Sequence, residues 1–203
     1  MYAIVEDNNI TQYINNPKSV VIGDVRYPAK IFELWSQSEK ESIGIYEIIV
    51  DKTNYKDPEY YNNTNSSYSF ADGQVTESWG IATAKELEDR NATDQDGVEL
   101  NPIVVIEGLK TEKKRIVKEQ ARTLLERSDW HNHKALDDDT YTIPENIKTY
   151  RANVREKSNE METQIDACNN VDELKTLYEY VNTGTEENPV YERPLAEFPK
   201  EVV

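Results

Sequence analysis

A chain of 203 residues with 39 Asp and Glu against 23 Lys and Arg carries a formal net charge of −16. That balance weighs against nucleic acid as a partner, because neutralising phosphates requires clustered Lys and Arg, and the only locally basic stretch lies at residues 110–118. The length suits one large domain or two small ones and is enough to bury a core. No apolar run reaches the length of a membrane-spanning helix, and the N-terminus lacks a basic-then-apolar leader pattern. The expectation is a protein made and kept in a cytoplasm, with no membrane partner. Cys168 is the only cysteine, which forbids an intrachain disulfide and agrees with a reducing compartment. Thirteen tyrosines against three phenylalanines lean towards a binding surface, since a Tyr ring buries one end and keeps the other hydrogen-bonded.

In chain order, the first half reads as β-rich. Tyr2-Ala3-Ile4-Val5-Glu6 and Ile10-Thr11-Gln12-Tyr13-Ile14 flank Asp7-Asn8-Asn9, a pattern for a hairpin. Residues 19–22 supply a third short strand after the Asn16-Pro17 turn. Ser36-Gln37-Ser38-Glu39-Lys40-Glu41 carries overlapping Ser-x-x-Glu capping signals and predicts a short helix stopped at Gly44. The β-branched run at residues 45–50 is expected to be a buried strand, and the polar residues 51–67 an exposed excursion. Tyr68-Ser69-Phe70-Ala71, the Asp72-Gly73 turn and Val75-Thr76-Glu77-Ser78-Trp79 form the clearest hairpin signal, with Trp79 and Ile81 continuing the alternation set by Val75. Trp79 is expected to be a half-buried sheet residue.

Residues 84–103 are acidic and read as a linker. Asp94-Gln95-Asp96-Gly97 lacks the ligand spacing and the closing Glu of a calcium loop. Val104-Val105-Ile106 fits a last strand or a helix lead-in equally well. Beyond it, Leu109, Ile116, Val117, Ala121, Leu124 and Leu125 mark one helical face, with Lys113, Lys114, Arg115 and Glu119 largely outside it. A longer helix starts at Pro144, with Ile147, Val154, Met161 and Cys168 at intervals of seven and Tyr150 and Ile165 filling the stripe. Asn170 caps a third helix whose face is Leu174, Leu177, Tyr178 and Val181 and whose stop is Gly184. The expected fold is α+β: a β-rich domain (residues 1–83), an acidic linker (84–103), a three-helix antiparallel bundle (104–182) and an extended tail (183–203) punctuated by Pro189, Pro194 and Pro199.

Little in the chain looks like a reaction centre. Cys168 sits on an apolar stripe, where a thiol is unreactive. The seven glycines are scattered singly, so there is no phosphate-cradling loop. The one metal-like cluster is His131-Asn132-His133 followed by Asp137: imidazoles at i and i+2 share a metal when the backbone is extended, and a carboxylate completes the set. The competing reading is a polar loop joining two helices. No cofactor is expected.

Leu124-Leu125-Glu126-Arg127-Ser128-Asp129-Trp130, followed by Pro144 and then Tyr150-Arg151-Ala152-Asn153-Val154-Arg155, resembles a segment near the C-termini of tail-fibre assembly proteins and tail-assembly chaperones of tailed bacteriophages. The resemblance covers roughly a quarter of the chain. It implies that Leu124 and Leu125 anchor the first helix, that Asp129-Trp130 ends it with Trp130 tucked against the bundle, and that Tyr150, Arg151 and Arg155 match the family's Tyr-Arg and second basic residue. Trp35-Ser36-Gln37-Ser38-Glu39 with Ile43-Gly44-Ile45 is similar to an upstream stretch of such proteins. The chain departs from the shorter chaperones in having His131 after Asp-Trp, a longer second helix and a larger N-terminal half.

The reading that follows is a non-enzymatic tail-associated protein that binds a tail fibre or another tail component, assisting its assembly or capping it. It would reside in the host cytoplasm during assembly or in the virion tail. The alternatives are a permanent virion component, oligomeric by the symmetry of its host ring or trimer, and a metal-dependent enzyme using His131, His133 and Asp137. Contact regions are expected in the aromatic β-surface (Tyr60, Tyr61, Tyr68 and Trp79) and in the tail (Leu195 and Phe198), whereas the Asp129-Trp130 to Arg155 motif is expected to be mainly helix packing.

Overall fold

The computed structural model describes residues 1–201, a mixed α+β chain that divides into Met1–Thr83 and the residues from Ala84 onward. In chain order the first unit holds β1 (Tyr2–Glu6), β2 (Asn9–Ile14), β3 (Val20–Ile22), β4 (Val25–Tyr27), α1 (Ile31–Leu34), α2 (Gln37–Ser42), β5 (Ile45–Asp51), β6 (Tyr61–Asn62), β7 (Ser66–Ala71) and β8 (Gln74–Trp79), with β9 (Thr83–Ala84) at its end. Asp7 and Asn8 take φ of 50° and 62° between β1 and β2, and Asp72 and Gly73 take 52° and 74° between β7 and β8. Two successive positive-φ residues match the right-handed twist of the flanking strands, which is why these dipeptides make tight hairpins. The Ser36 hydroxyl accepts from the Glu39 N–H while the Glu39 carboxylate accepts from the Ser36 N–H, closing the capping box of α2. The Ser36 N–H and the Ser36 hydroxyl, both donating to the Glu39 carboxylate at 2.8 Å, hold that carboxyl below its ordinary pKa.

The strands assemble as one mixed sheet in the order β2-β1-β5-β8-β7, with β5 and β8 parallel and the other pairs antiparallel. Ile4, Ile14 and Ile45 face Val20, Ile31 and Phe32 on one side of it, while Ala3, Val5, Ile48 and Val75 join Ile10, Tyr46, Tyr68 and Phe70 on the other. Ile10 and Ile14 have the same parity and would share a face in a regular strand. A register shift, in which Ile4 pairs with Gln12 and Val5 with Ile10, leaves Thr11 over and sends the two isoleucines to opposite faces. Tyr13 on β2 and Tyr68 on β7 bring their rings to 4.7 Å, so the sheet curls until its edge strands meet. The short strand expected at residues 19–22 forms, but as a separate β3–β4 hairpin packed on the sheet. In β5 only Ile45 and Ile48 are buried; Ile49 and Val50 are half exposed, and Ile81 lies beyond β8 in solvent.

Gly44 links α2 to β5 at φ +83°, its carbonyl accepts from the Val5 N–H at 2.8 Å, and a Cβ there would meet the Val5 carbonyl oxygen at 2.6 Å. Backbone strain and a backbone clash therefore coincide. Gly44→Ala should cost about 2 kcal/mol or more, read as a lowered denaturant midpoint; an unchanged midpoint would mean the α2–β5 corner is not held as described.

The second unit contains β10 (Arg90–Asn91), β11 (Val105–Ile106), α3 (Leu109–Glu126), α4 (Asp129–Asp137), α5 (Glu145–Ala167), α6 (Val171–Tyr178), β12 (Val181–Asn182) and β13 (Tyr191–Glu192). Contacts of Lys114 with Asp166, Lys118 with Glu162 and Leu125 with Arg151 show α3 and α5 running antiparallel. The expected stripe of α5 is buried from Ile147 through Cys168, and Asn170 caps α6 by accepting from the Glu173 N–H. Burial raises the pKa of the Cys168 thiol, in keeping with an inert core residue.

Four departures from expectation stand out. The segment after Trp130 is the helix α4, not a loop, so four helices replace the expected three. Residues 84–103 are folded into this unit through the segment that begins α3. The Leu109 and Lys110 N–H groups donate to the Glu86 and Leu87 carbonyls, and the Gly108 N–H donates to Asp89. A Cβ on Gly108 would lie 2.4 Å from that backbone. On α3, Lys110 and Lys113 occupy the buried row with Leu109, Val117 and Ala121 while Ile116 is exposed. Lys113 is 4% exposed beneath the Tyr178 ring, at 4.8 Å, and Lys110 bonds Glu88 and the Asp166 carbonyl. Finally, α6 ends at Tyr178, and Val181–Asn182, expected on the third helix, pairs instead with Tyr191–Glu192 of the supposed extended tail in a small hairpin.

Candidate protein-binding surfaces

The helix-loop-helix motif is built around Arg151, which is 8% exposed. From α5 its guanidinium donates to the Leu125 carbonyl at 2.8 Å, the Ser128 hydroxyl at 2.7 Å and the Asp129 carboxylate at 2.7 Å. A cation is favoured there because the last carbonyls of α3 lack helical partners and carry the negative end of its dipole. Arg155, one turn on, donates to the Arg151 carbonyl at 3.3 Å. Leu124 and Leu125 pack with Ala121, Tyr150, Val154 and Phe198. The motif is thus a helix clasp with Arg151 inside it.

Trp130 is corrected more sharply. It is 54% exposed, because it stands on the outer side of α4, where it stacks on the neighbouring His131 ring at 3.7 Å. Asp129 opens α4 instead of only closing α3. The same helix removes the premise of the metal cluster. Residues two apart on a helix project about 200° apart, so His131 is buried with its Nδ1 against the Tyr141 hydroxyl while His133 is exposed. Among the described residues no three His, Cys, Asp or Glu side chains gather as a metal-holding group, and Asp137 joins neither histidine.

Of the expected contact residues, most are engaged internally. Tyr60 and Tyr61 are buried, Tyr61 beneath the Lys56 ammonium at 4.3 Å, so the polar excursion folds its own aromatics in. Tyr68 is half-buried and donates to the Glu77 carboxylate at 2.9 Å, a bond that raises its pKa. Trp79 is half-buried, as expected, with Tyr55 edge-on at 5.3 Å. Leu195 is buried within its own unit, and Phe198 is half-buried against Leu124, Leu125 and Tyr150. Leu195, Tyr60 and Tyr61 are therefore not available as surface contacts.

The free apolar surface lies where a linker was expected. Every residue from 93 to 107 is exposed, and this run includes Val98, Leu100, Ile103, Val104, Val105 and Ile106. It is nevertheless ordered by its own hydrogen bonds. Arg90 and Asn91 pair with Ile106 and Val105, the Ala92 N–H donates to the Val104 carbonyl, and the Ala92 carbonyl accepts from Leu100. At the tip the Asp94 carboxylate accepts the N–H groups of Asp96 and Val98, both at 2.9 Å. The Asp-rich tetrapeptide is thus a self-capped turn. Four consecutive aliphatic residues open to solvent on both sides of a ribbon form a patch of the kind that marks an interaction surface. Ile103-Val104-Val105-Ile106 was visible as a β-branched run. The missing signal was that no apolar segment of its own unit covers it.

The chain matches no protein-family model, no curated protein and no solved structure. Among the described residues no helix is long and apolar enough to cross a membrane.

Proposed function

We propose that this chain is a non-enzymatic, tail-associated protein of a tailed bacteriophage that binds a tail fibre or another tail component and assists its assembly or caps it. The observation that carries a binding role is the ordered, solvent-exposed aliphatic arm ending in Ile103-Val104-Val105-Ile106. Covering a half-exposed Val or Ile is worth roughly 1 kcal/mol, so six such side chains can offset much of the cost of association. The attribution to phage tails rests on the Asp129-Trp130 to Arg155 resemblance. The arm replaces the buried aromatics and Leu195 as the contact region, with Trp130 as a secondary exposed aromatic and the half-buried Trp79 beside Tyr55.

The test is quantitative mass spectrometry of purified phage particles, paired with soluble fibre yield when the fibre is co-expressed with this chain. A fixed copy number in particles identifies a permanent component; absence from particles with chain-dependent fibre yield identifies an assembly factor. In either case Val104→Asp with Ile106→Asp should abolish the effect while leaving the chain folded. Neither incorporation nor fibre dependence would overturn the reading.

A further inference from the structure

The geometry points to a second binding site, a groove between α3 and α5 that takes an acidic segment of a partner polypeptide in extended form. The groove encloses about 650 Å³. Lys118 and Arg122 from α3 and Arg151 and Arg155 from α5 line it, against only Glu126 and Asp129. In a chain with a net charge of −16 this concentration of cations runs against the background. Three of the four have internal carboxylates: Lys118 meets Glu162 at 3.1 Å, Arg122 lies between Glu119 and Glu126, and Arg151 holds Asp129. Arg155 differs. It is exposed, its one hydrogen bond goes to a backbone carbonyl, and among the described residues no carboxylate lies within 4.0 Å of it.

The occupant's chemistry follows from shape and charge. The lining runs from Lys118 to Glu126 on α3, with Asp129 at the start of α4, and from Arg151 to Asn159 on α5, roughly two helical turns or about 12 Å. That length accommodates about four extended residues and exceeds what a single anionic group spans. Ala121 and Leu125 provide an apolar floor between the cationic walls, and Ser158 adds a hydroxyl. An acidic peptide with one aliphatic side chain satisfies both: its carboxylates reach Arg155 and Lys118, while its apolar residue sits on Leu125. The cations would also speed encounter, with the salt dependence expected of exposed charges. This site is distinct from the aliphatic arm, so its failure leaves the proposed tail role standing.

The experiment measures fluorescence anisotropy of a labelled Glu-Glu-Leu-Glu-Glu peptide with the full chain, and of the same peptide with Gln in place of Glu. Saturable binding of the acidic peptide alone is expected, weakened about tenfold or more by Arg155→Glu and likewise by raised salt. Lys118→Glu, on the opposite helix, should reproduce the loss. Both side chains are exposed, and unchanged circular dichroism of each variant separates lost binding from lost folding. No saturable binding, equal binding of the Gln peptide, or variants that bind like the parent would overturn the proposal. So would full displacement by inorganic phosphate at the peptide's own concentration, which would identify a free-anion site. Self-association abolished by Arg155→Glu would overturn it too, by making a second copy the occupant.

Discussion

Leu195→Ala is expected to destabilise the C-terminal unit by about 3 kcal/mol, within the range for emptying a fully buried aliphatic site. Leu195 is 2% exposed, and the chain around it is fastened on both sides. Its N–H donates to the Leu177 carbonyl at 3.0 Å. The Gln164 side-chain amide donates to the Pro194 carbonyl at 3.0 Å and accepts from the Ala196 N–H at 2.8 Å, pairing with the segment as a neighbouring strand would. Truncation leaves a cavity that this doubly held backbone cannot collapse to fill. For a chain of this length the loss corresponds to a fall in melting temperature of roughly 10 °C. Phe198→Ala, at a half-buried site, should cost clearly less. A Leu195→Ala chain that melts with the parent would mean that the segment does not seat on the helices in solution, and would reopen the tail as a free docking arm.

Arg151→Ala is the second large effect, expected at about 3 kcal/mol. The substitution removes three donated hydrogen bonds at once at the junction of α3 and α4 and leaves the Leu125 carbonyl to the Ser128 hydroxyl and N–H, which already donate to it at 3.0 and 3.1 Å. Asp129→Ala should cost less, about 1–2 kcal/mol. The asymmetry comes from exposure: the Arg151 side chain is 9% accessible and that of Asp129 is 43%. An Asp deprived of its partner rehydrates, whereas Arg151 without Asp129 keeps its two other acceptors. Arg151→Met retains the packing of the stem and should fall between the two. Urea unfolding of the three variants tests the order, and equal losses for Arg151→Ala and Asp129→Ala would contradict a buried clasp. The same measurement bears on the bacteriophage resemblance, since it asks whether the Tyr-Arg pair that carries the likeness is structural.

What could be read directly from the residues was whatever short-range physics controls. The hairpins at Asp7-Asn8 and Asp72-Gly73, the capping box of Ser36 and Glu39, the Asn170 cap and the Ile147 to Cys168 stripe all depend on groups within a few residues or a few turns of one another. The division into a β-rich first part and a helical second part follows from the same periodicities, with hydrophobic residues alternating in one and recurring at three and four in the other.

What only the tertiary structure decided was which surface ends up covered, because that depends on segments far apart in the chain. Lys113 looks like a solvated residue until the Tyr178 ring lies over it, and Lys110 until Glu88 and the end of α5 arrive. Tyr60 and Tyr61 look exposed in a polar excursion, yet fold inward. His131 and His133 suit a metal only on extended backbone, and the helix that separates them also leaves Trp130 outside. Leu195 looks free until Gln164, 31 positions earlier in the sequence, pairs with its neighbours. The aliphatic run at residues 103–106 shows the converse case: its residue types promised burial, and the fold supplies nothing to cover it. Burial is a property of pairs of segments, so the sequence determined the elements and their caps, while the packing of those elements decided which side chains remain available to a partner.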